Sequence, residues 1–111
     1  MINKLSNALS HFTYEKTRLE TRIKLLNDTT LKAQKVLVGD LLSFVNSIIF
    51  DIKTTEKKDL KAVAEKYEKK DDEFLKLCIE CQNSNWHFQA EFYREIGKYS
   101  GRARLEFKDV C

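Results

Sequence analysis

The sequence predicts an all-α fold: an elongated antiparallel bundle of three long helices and one shorter helix. The 111 residues include three glycines and no proline, so few of the turn-forming residues that a many-stranded β fold requires are present. Apolar residues recur at alternating spacings of three and four along most of the chain, the pattern of one helix face. A chain of this length is expected to form a single domain over residues 1–111.

The first helix is predicted over residues 2–26. Its heptad seam, of the kind found in coiled coils, is apolar at every position except Lys16. A single polar residue in such a seam is a known means of fixing the register of associating helices. We therefore predict a homodimer joined through the first helix, with the third helix as a further candidate, and with the interface residues Leu5, Leu9, Phe12, Lys16, Leu19 and Ile23.

The second helix is predicted over residues 31–52, after a run of capping residues at 27–30 that predicts a corner. It carries two adjacent apolar stripes that cover more than half of its circumference, a pattern typical of a helix packed on two sides. Short β-branched runs at 36–38 and 48–50 leave a strand as the alternative. The predicted centre of the core is Leu37, Leu41, Phe44, Ile48 and Ile49.

The third helix is predicted over residues 55–83, after a break at Lys53, Thr54 and Thr55. A shorter fourth helix, rich in aromatic residues, is predicted over 86–99 and follows a capping run at 83–85. Ser100 and Gly101 are predicted to end it. Residues 100–111 alternate apolar and polar side chains and are predicted to form a short tail, either extended or helical.

One set of residues has the composition of a zinc site. Cys78, Cys81, His87 and Cys111 could supply the four ligands of a Cys₃His centre. The first two cysteines lie inside a helical heptad and not on a turn, so burial as small apolar side chains is the favoured interpretation. The sequence contains no nucleophile elbow, glycine-rich phosphate loop or H-E-x-x-H motif. We expect no enzymatic activity, no cofactor and no bound metal.

A row of basic residues in the last third of the chain indicates a second class of function. Arg94, Lys98 and Arg102 are spaced by four and would form a positive ridge if the fourth helix ran past Gly101. The net charge of the chain is only +3, and neighbouring glutamates offset much of the ridge. A nucleic-acid-binding helical protein is therefore kept as an alternative.

Residues 39–46 and 57–70, Gly-Asp-Leu-Leu-Ser-Phe-Val-Asn and Lys-Lys-Asp-Leu-Lys-Ala-Val-Ala-Glu-Lys-Tyr-Glu-Lys-Lys, resemble the central helices of BAR-type membrane-curvature scaffolds. The resemblance covers less than half of the chain. It implies a membrane-associated helical scaffold as a further alternative.

The function that the sequence favours is that of a non-enzymatic protein–protein interaction module. Long helices in a short chain are expected to leave apolar surface for a partner. The excess of Lys over Arg, with abundant Asn and Ile, is typical of AT-rich genomes and indicates a low-GC microbe, a phage or a plasmid. The missing catalytic motifs and the surplus helical surface then favour a small regulator, inhibitor or immunity protein of a phage or mobile element. The sequence shows no secretion signal, and three cysteines, an odd number, fit a reducing interior better than a disulfide framework. A cytoplasmic protein is therefore expected. The predicted partner-binding residues are Trp86, Phe88, Phe92, Tyr93, Arg94, Lys98 and Arg102.

Overall fold

The computed structural model describes residues 2–27 and 32–111, which form four α-helices of nearly equal length. These are α1 (Ser6–Asn27), α2 (Lys32–Thr54), α3 (Leu60–Asn83) and α4 (His87–Asp109), with short 3₁₀ turns at Asn3–Leu5 and Lys57–Asp59. Within the described residues no strand occurs, so the all-α bundle is confirmed and the strand alternative for α2 is wrong. The predicted corner at 27–30 lies, apart from Asn27, outside the described residues.

The fourth helix is longer than predicted. It continues through Ser100 and Gly101 to Asp109, because its last three turns are part of the core. Phe107 is fully buried and stacks on Tyr67 of α3, with the ring centroids 5.8 Å apart. One glycine inside a helix costs about 1 kcal/mol, whereas burying a Phe side chain stabilises by about 1.5–3 kcal/mol. Packing therefore outweighs the local signal that predicted a helix end and a separate tail.

The helices form a flattened, elongated bundle with Cα extents of 45 × 31 × 15 Å. α1 packs along α2, α3 packs along α4, and α4 also contacts α2. All four helices contribute buried residues to one shared core cluster. In the described ranges, no helix combines the length and the apolar character needed to cross a membrane.

The inward face of α2 differs in part from the predicted core centre. Leu41, Ile48 and Ile49 are buried as predicted. Leu37 and Phe44 are only half-buried, because the face of α2 that is directed at the other helices is centred on the adjacent apolar stripe. The remaining inward positions of that face are occupied by Val38, Val45 and Ile52.

The heptad seam of α1 packs against other helices of the same chain. Leu5, Phe12 and Leu19 are fully buried in the shared core cluster. Other helices of the same chain cover these three side chains, so the structure leaves none of their surface exposed for a second copy. The other seam residues named for that interface, Leu9, Lys16 and Ile23, are half-buried. The homodimer itself stays a prediction.

The connection between α3 and α4 is a Schellman turn. Asn85 adopts a left-handed backbone conformation with φ of 60°. The Trp86 N–H donates to the Cys81 carbonyl at 2.8 Å, and the Asn85 N–H donates to the Gln82 carbonyl at 3.2 Å, which is the bond pattern of this motif. The turn reverses the chain in three residues and leaves Trp86 exposed at one end of the bundle.

Candidate functional site

A solvent-open cleft of about 380 Å³ lies between α1, α2 and α4. Each of the three helices contributes side chains at the three-and-four spacing of a single helix face. The cleft volume falls within the range of protein ligand pockets. The lining residues are Arg22, Leu25 and Leu26 of α1, Gln34, Leu37, Val38 and Leu41 of α2, and Phe88, Glu91, Phe92 and Glu95 of α4.

The floor of the cleft is part of the hydrophobic core. Val38 and Leu41 are buried, and Phe92 packs against the core from the side. At the mouth, Leu25 is 67% exposed and Phe88 is 41% exposed. Apolar surface is therefore continuous from the core to the solvent, and an apolar side chain entering the cleft would meet a formed apolar surface.

The charged residues at the rim are paired within the chain. Arg22 Nη1 lies 2.6 Å from Glu95 Oε1, which joins α1 to α4. Glu91 accepts a hydrogen bond from Arg94, one turn further along α4. These pairs make the rim close to neutral and leave the apolar lining as the main recognition surface.

A second polar contact between α1 and α4 lies one helical turn from the cleft residues Arg22 and Glu95. The Arg18 guanidinium donates to the Tyr99 hydroxyl at 3.2 Å, and that hydroxyl donates to Glu15 Oε2 at 3.2 Å. Burial, reinforced by the nearby Glu15 and Glu95 carboxylates, raises the pKa of Tyr99 to about 12. The phenol therefore stays neutral at physiological pH and acts as a fixed link between the two helices.

The aromatic residues predicted as one partner-binding patch lie on different sides of α4. Phe88 and Phe92 line the cleft. Tyr93 instead faces α3, where its ring stacks on Phe74 at 6.4 Å. Trp86 is exposed at the hairpin turn and is not part of the cleft lining. The structure thus brings together two of the four predicted aromatic residues.

The predicted basic ridge is continuous along α4, because the helix runs past Gly101. Two of its three cations have partners in the chain: Arg94 pairs with Glu91, and Arg102 Nε lies 2.8 Å from Glu106 Oε1. Within the described part of the chain, Lys98 has no ion-pair partner. Most of the charge of the ridge is therefore compensated.

The residues considered for zinc are not assembled into one site. Cys78 and Cys81 are buried near the end of α3, and His87 begins α4. Cys111 follows the far end of α4, about 35 Å from His87 at 1.5 Å per residue. Among residues 2–27 and 32–111, no group of three or more His, Cys, Asp and Glu side chains is placed to hold a metal ion.

The apolar pattern of the sequence did not predict the contributions of α1 and α2 to the cleft. Leu25 lies beside the predicted seam, and Leu37, Val38 and Leu41 belong to stripes interpreted as core. The sequence nevertheless contains an indication of the cleft. The adjoining ends of α1 and α2 carry more apolar residues than a single inward-facing stripe requires, namely Leu25-Leu26 and residues 36–38.

Comparisons with known proteins returned no match: no family model matches the chain, and neither does any curated protein or solved structure.

Proposed function

We propose that the protein is a non-enzymatic protein-interaction module whose cleft receives the apolar side chains of one helix of a different protein. The observation that carries the proposal is the exposure of Leu25 and Phe88 directly above the buried floor of Val38 and Leu41. Exposed apolar side chains around a preformed pocket are typical of binding sites, because a partner gains free energy by removing them from water.

The shape of the cleft supports a helical ligand. Its walls are the faces of α1, α2 and α4, and a further helix can pack on such faces by placing its side-chain ridges into their grooves. A volume of about 380 Å³ accommodates a few large side chains and not a whole helix. The expected ligand is therefore an amphipathic helix that lies across the mouth and inserts residues spaced at i, i+3 or i+4, and i+7.

The charges around the cleft also support a protein partner. The rim carboxylates Glu91 and Glu95 are each paired with an arginine of the same chain. A polyanion would have to displace these carboxylates or bind beside them. By binding and covering a helix of its partner, the module would act as a small regulator, inhibitor or immunity protein.

The proposal is tested by selection from a displayed library of random 16-residue peptides with the full chain as bait. We expect selected peptides with apolar residues at helical spacing, and we expect Phe88→Asp to weaken their binding at least about 10-fold. The matched control is Phe50→Asp, which changes an exposed aromatic residue of α2 outside the cleft and should leave binding unchanged. Equal loss in both variants would contradict the proposal.

Two further measurements examine the alternatives. A nucleic-acid binder would shift a labelled duplex or single strand with an affinity that falls steeply as salt rises. A BAR-like scaffold would co-sediment with anionic liposomes. Either result, together with failure of the peptide selection, would replace the proposed function.

A further inference from the structure

The second half of α3 carries apolar side chains on its inner face and a further pair on its outer face. Its inner residues, Phe74, Leu77, Cys78 and Cys81, are buried or half-buried. On the outer side, Leu75 and Ile79 are one turn apart and are 62% and 48% exposed. Large apolar side chains that are exposed next to each other are typical of an interaction surface, and this pair stays largely exposed within the chain.

The outer ridge formed by Leu75 and Ile79 lies between two hollows. One, of about 370 Å³, is the groove between α3 and α4, and Arg94 and Lys98 lie on its α4 side. The other, of about 270 Å³, lies on the opposite side of the ridge and is lined by Asp72, Lys76 and Glu80 in addition to the two ridge residues. The ridge is thus bordered by a cationic rim on α4 and a mainly acidic rim on α3.

The charges of these rims differ in whether they have a partner within the chain, and Arg94 is paired with Glu91. In the part of the chain that the structure describes, Lys98, Asp72 and Glu80 form no ion pair or side-chain hydrogen bond. Arg102 and Arg104, further along α4, have Glu106 and Asp71 as partners. An unpaired lysine on α4 and two unpaired carboxylates on α3 therefore border the exposed ridge, with Lys76 between the carboxylates.

We propose that this ridge is the contact surface of a homodimer in which the two copies of α3 pack side by side in parallel. A two-fold axis along the ridge sets Leu75 and Ile79 of one copy against the same residues of the other, as an isologous interface requires. The same axis brings the cationic rim of each copy to the acidic rim of its partner. An antiparallel two-fold would bring like rims together, so the charge pattern selects the parallel arrangement.

The level of Lys98 along the helices fits this arrangement. The backbone of Gly97 approaches Phe74, since a Cβ atom built on Gly97 would lie 3.6 Å from Phe74 Cβ. Lys98 is therefore level with the turn of α3 that carries Asp72. Arg94, one turn earlier in α4, is level with the turn that carries Lys76 and Leu77, and Glu80 lies about one turn further along α3. In the dimer Lys98 would face Asp72 of the other copy, whereas Arg94 keeps its partner Glu91 in its own chain.

The available area is close to what a stable dimer needs. α3 and α4 are each about 35 Å long and about 20 Å wide side by side. If the whole length of both helices is buried, this face amounts to about 700 Å² per copy, compared with about 800 Å² per partner in standard interfaces. The dimer leaves the cleft between α1, α2 and α4 free, so this inference is independent of the proposed function.

Sedimentation velocity of the full chain tests the dimer. We expect the wild type to dimerise at micromolar concentrations, and the pair Leu75→Asp and Ile79→Asp to raise the dissociation constant at least about 30-fold. The control pair Tyr14→Asp and Phe50→Asp changes two exposed aromatic residues on α1 and α2 and should leave the constant unchanged. Circular dichroism verifies that each variant keeps its helices.

A charge exchange tests the parallel arrangement without altering the apolar ridge. Lys98→Glu should weaken the dimer about 10-fold by placing two acidic rims together, and adding Asp72→Lys should restore most of the affinity. A wild type that is monomeric at about 100 µM would overturn the proposal and leave the ridge to a different partner. A dimer that survives both apolar substitutions, or a charge exchange without rescue, would also overturn it.

Discussion

The hydroxyl of Tyr67 donates a hydrogen bond to Asp51 Oδ2 at 2.5 Å, and this bond joins α3 to α2. The Tyr67 ring is fully buried and stacks on the ring of Phe107 of α4. The same carboxylate oxygen accepts a bond from Lys66 Nζ at 2.6 Å. Burial is the main cause that raises the pKa of Tyr67 well above its ordinary value, and the Asp51 carboxylate adds to it. Three helices therefore meet at one neutral phenol.

Removing only the hydroxyl of Tyr67 should have a measurable cost. Tyr67→Phe keeps the stacked ring but deprives Asp51 of one donor, and we expect the free energy of unfolding to fall by about 1–2 kcal/mol. Urea denaturation followed by circular dichroism gives this value. Tyr14→Phe, at an exposed position on α1, should leave stability unchanged. A loss of equal size in both variants would mean that the buried hydrogen bond contributes nothing of its own.

Alkaline pH should weaken the contact between α1 and α4. The pKa of Tyr99 is raised from 10.0 to about 12 in the folded chain. A group whose pKa is raised by folding contributes its stability below the unfolded value and loses it as pH rises through the folded value. The free energy of unfolding should therefore fall between pH 10 and pH 12.

The Tyr99→Phe variant isolates this contribution. Its stability should fall less steeply than that of the wild type over the same pH range, because it lacks the ionisable hydroxyl. Parallel urea titrations at pH 8, 10 and 12 provide the comparison. Identical slopes in the two proteins would contradict the assignment of the effect to Tyr99.

The left-handed residue in the α3–α4 turn should tolerate only a narrow set of side chains. Asn85→Val places a β-branched side chain at a φ of 60°, which should destabilise the chain by about 1–2 kcal/mol. Asn85→Gly should be neutral or slightly stabilising, because glycine enters this conformation without strain. Gln82→Val, in the last turn of α3, is the control for β-branching alone. Thermal unfolding ranks the three variants, and an equal effect of the two valines would argue against backbone strain.

The end of α4 should be essential for stability. Phe107→Ala removes a fully buried ring, and we expect a loss of about 3–5 kcal/mol. Leu105→Ala, at an exposed position two residues away, should cost less than about 1 kcal/mol. Denaturant unfolding of both variants measures the difference. A small effect of Phe107→Ala would contradict the packing of the last turns of α4 in the core and would favour a short fourth helix followed by a separate tail.

The sequence by itself determined the number of helices, their order and the position of the α3–α4 turn. These features depend on local interactions: the three-and-four spacing of apolar residues selects helices, and the run Asn83-Ser84-Asn85 contains the residue types that end one helix and begin another. The sequence also indicated that Phe88 and Phe92 share one face of α4, because their spacing of four is a property of any helix. That face lines the candidate cleft.

Only the tertiary structure decided which apolar stripe faces which neighbour. Phe12 and Leu75 both belong to apolar segments of a helix, yet Phe12 is buried and Leu75 is exposed. Likewise, α4 runs past Gly101 because Phe107 packs on Tyr67, a residue 40 positions earlier in the chain. Burial is a free energy shared between residues that are distant in sequence. The spacing along one helix specifies the stripe, whereas the crossing of the four helices specifies its partner.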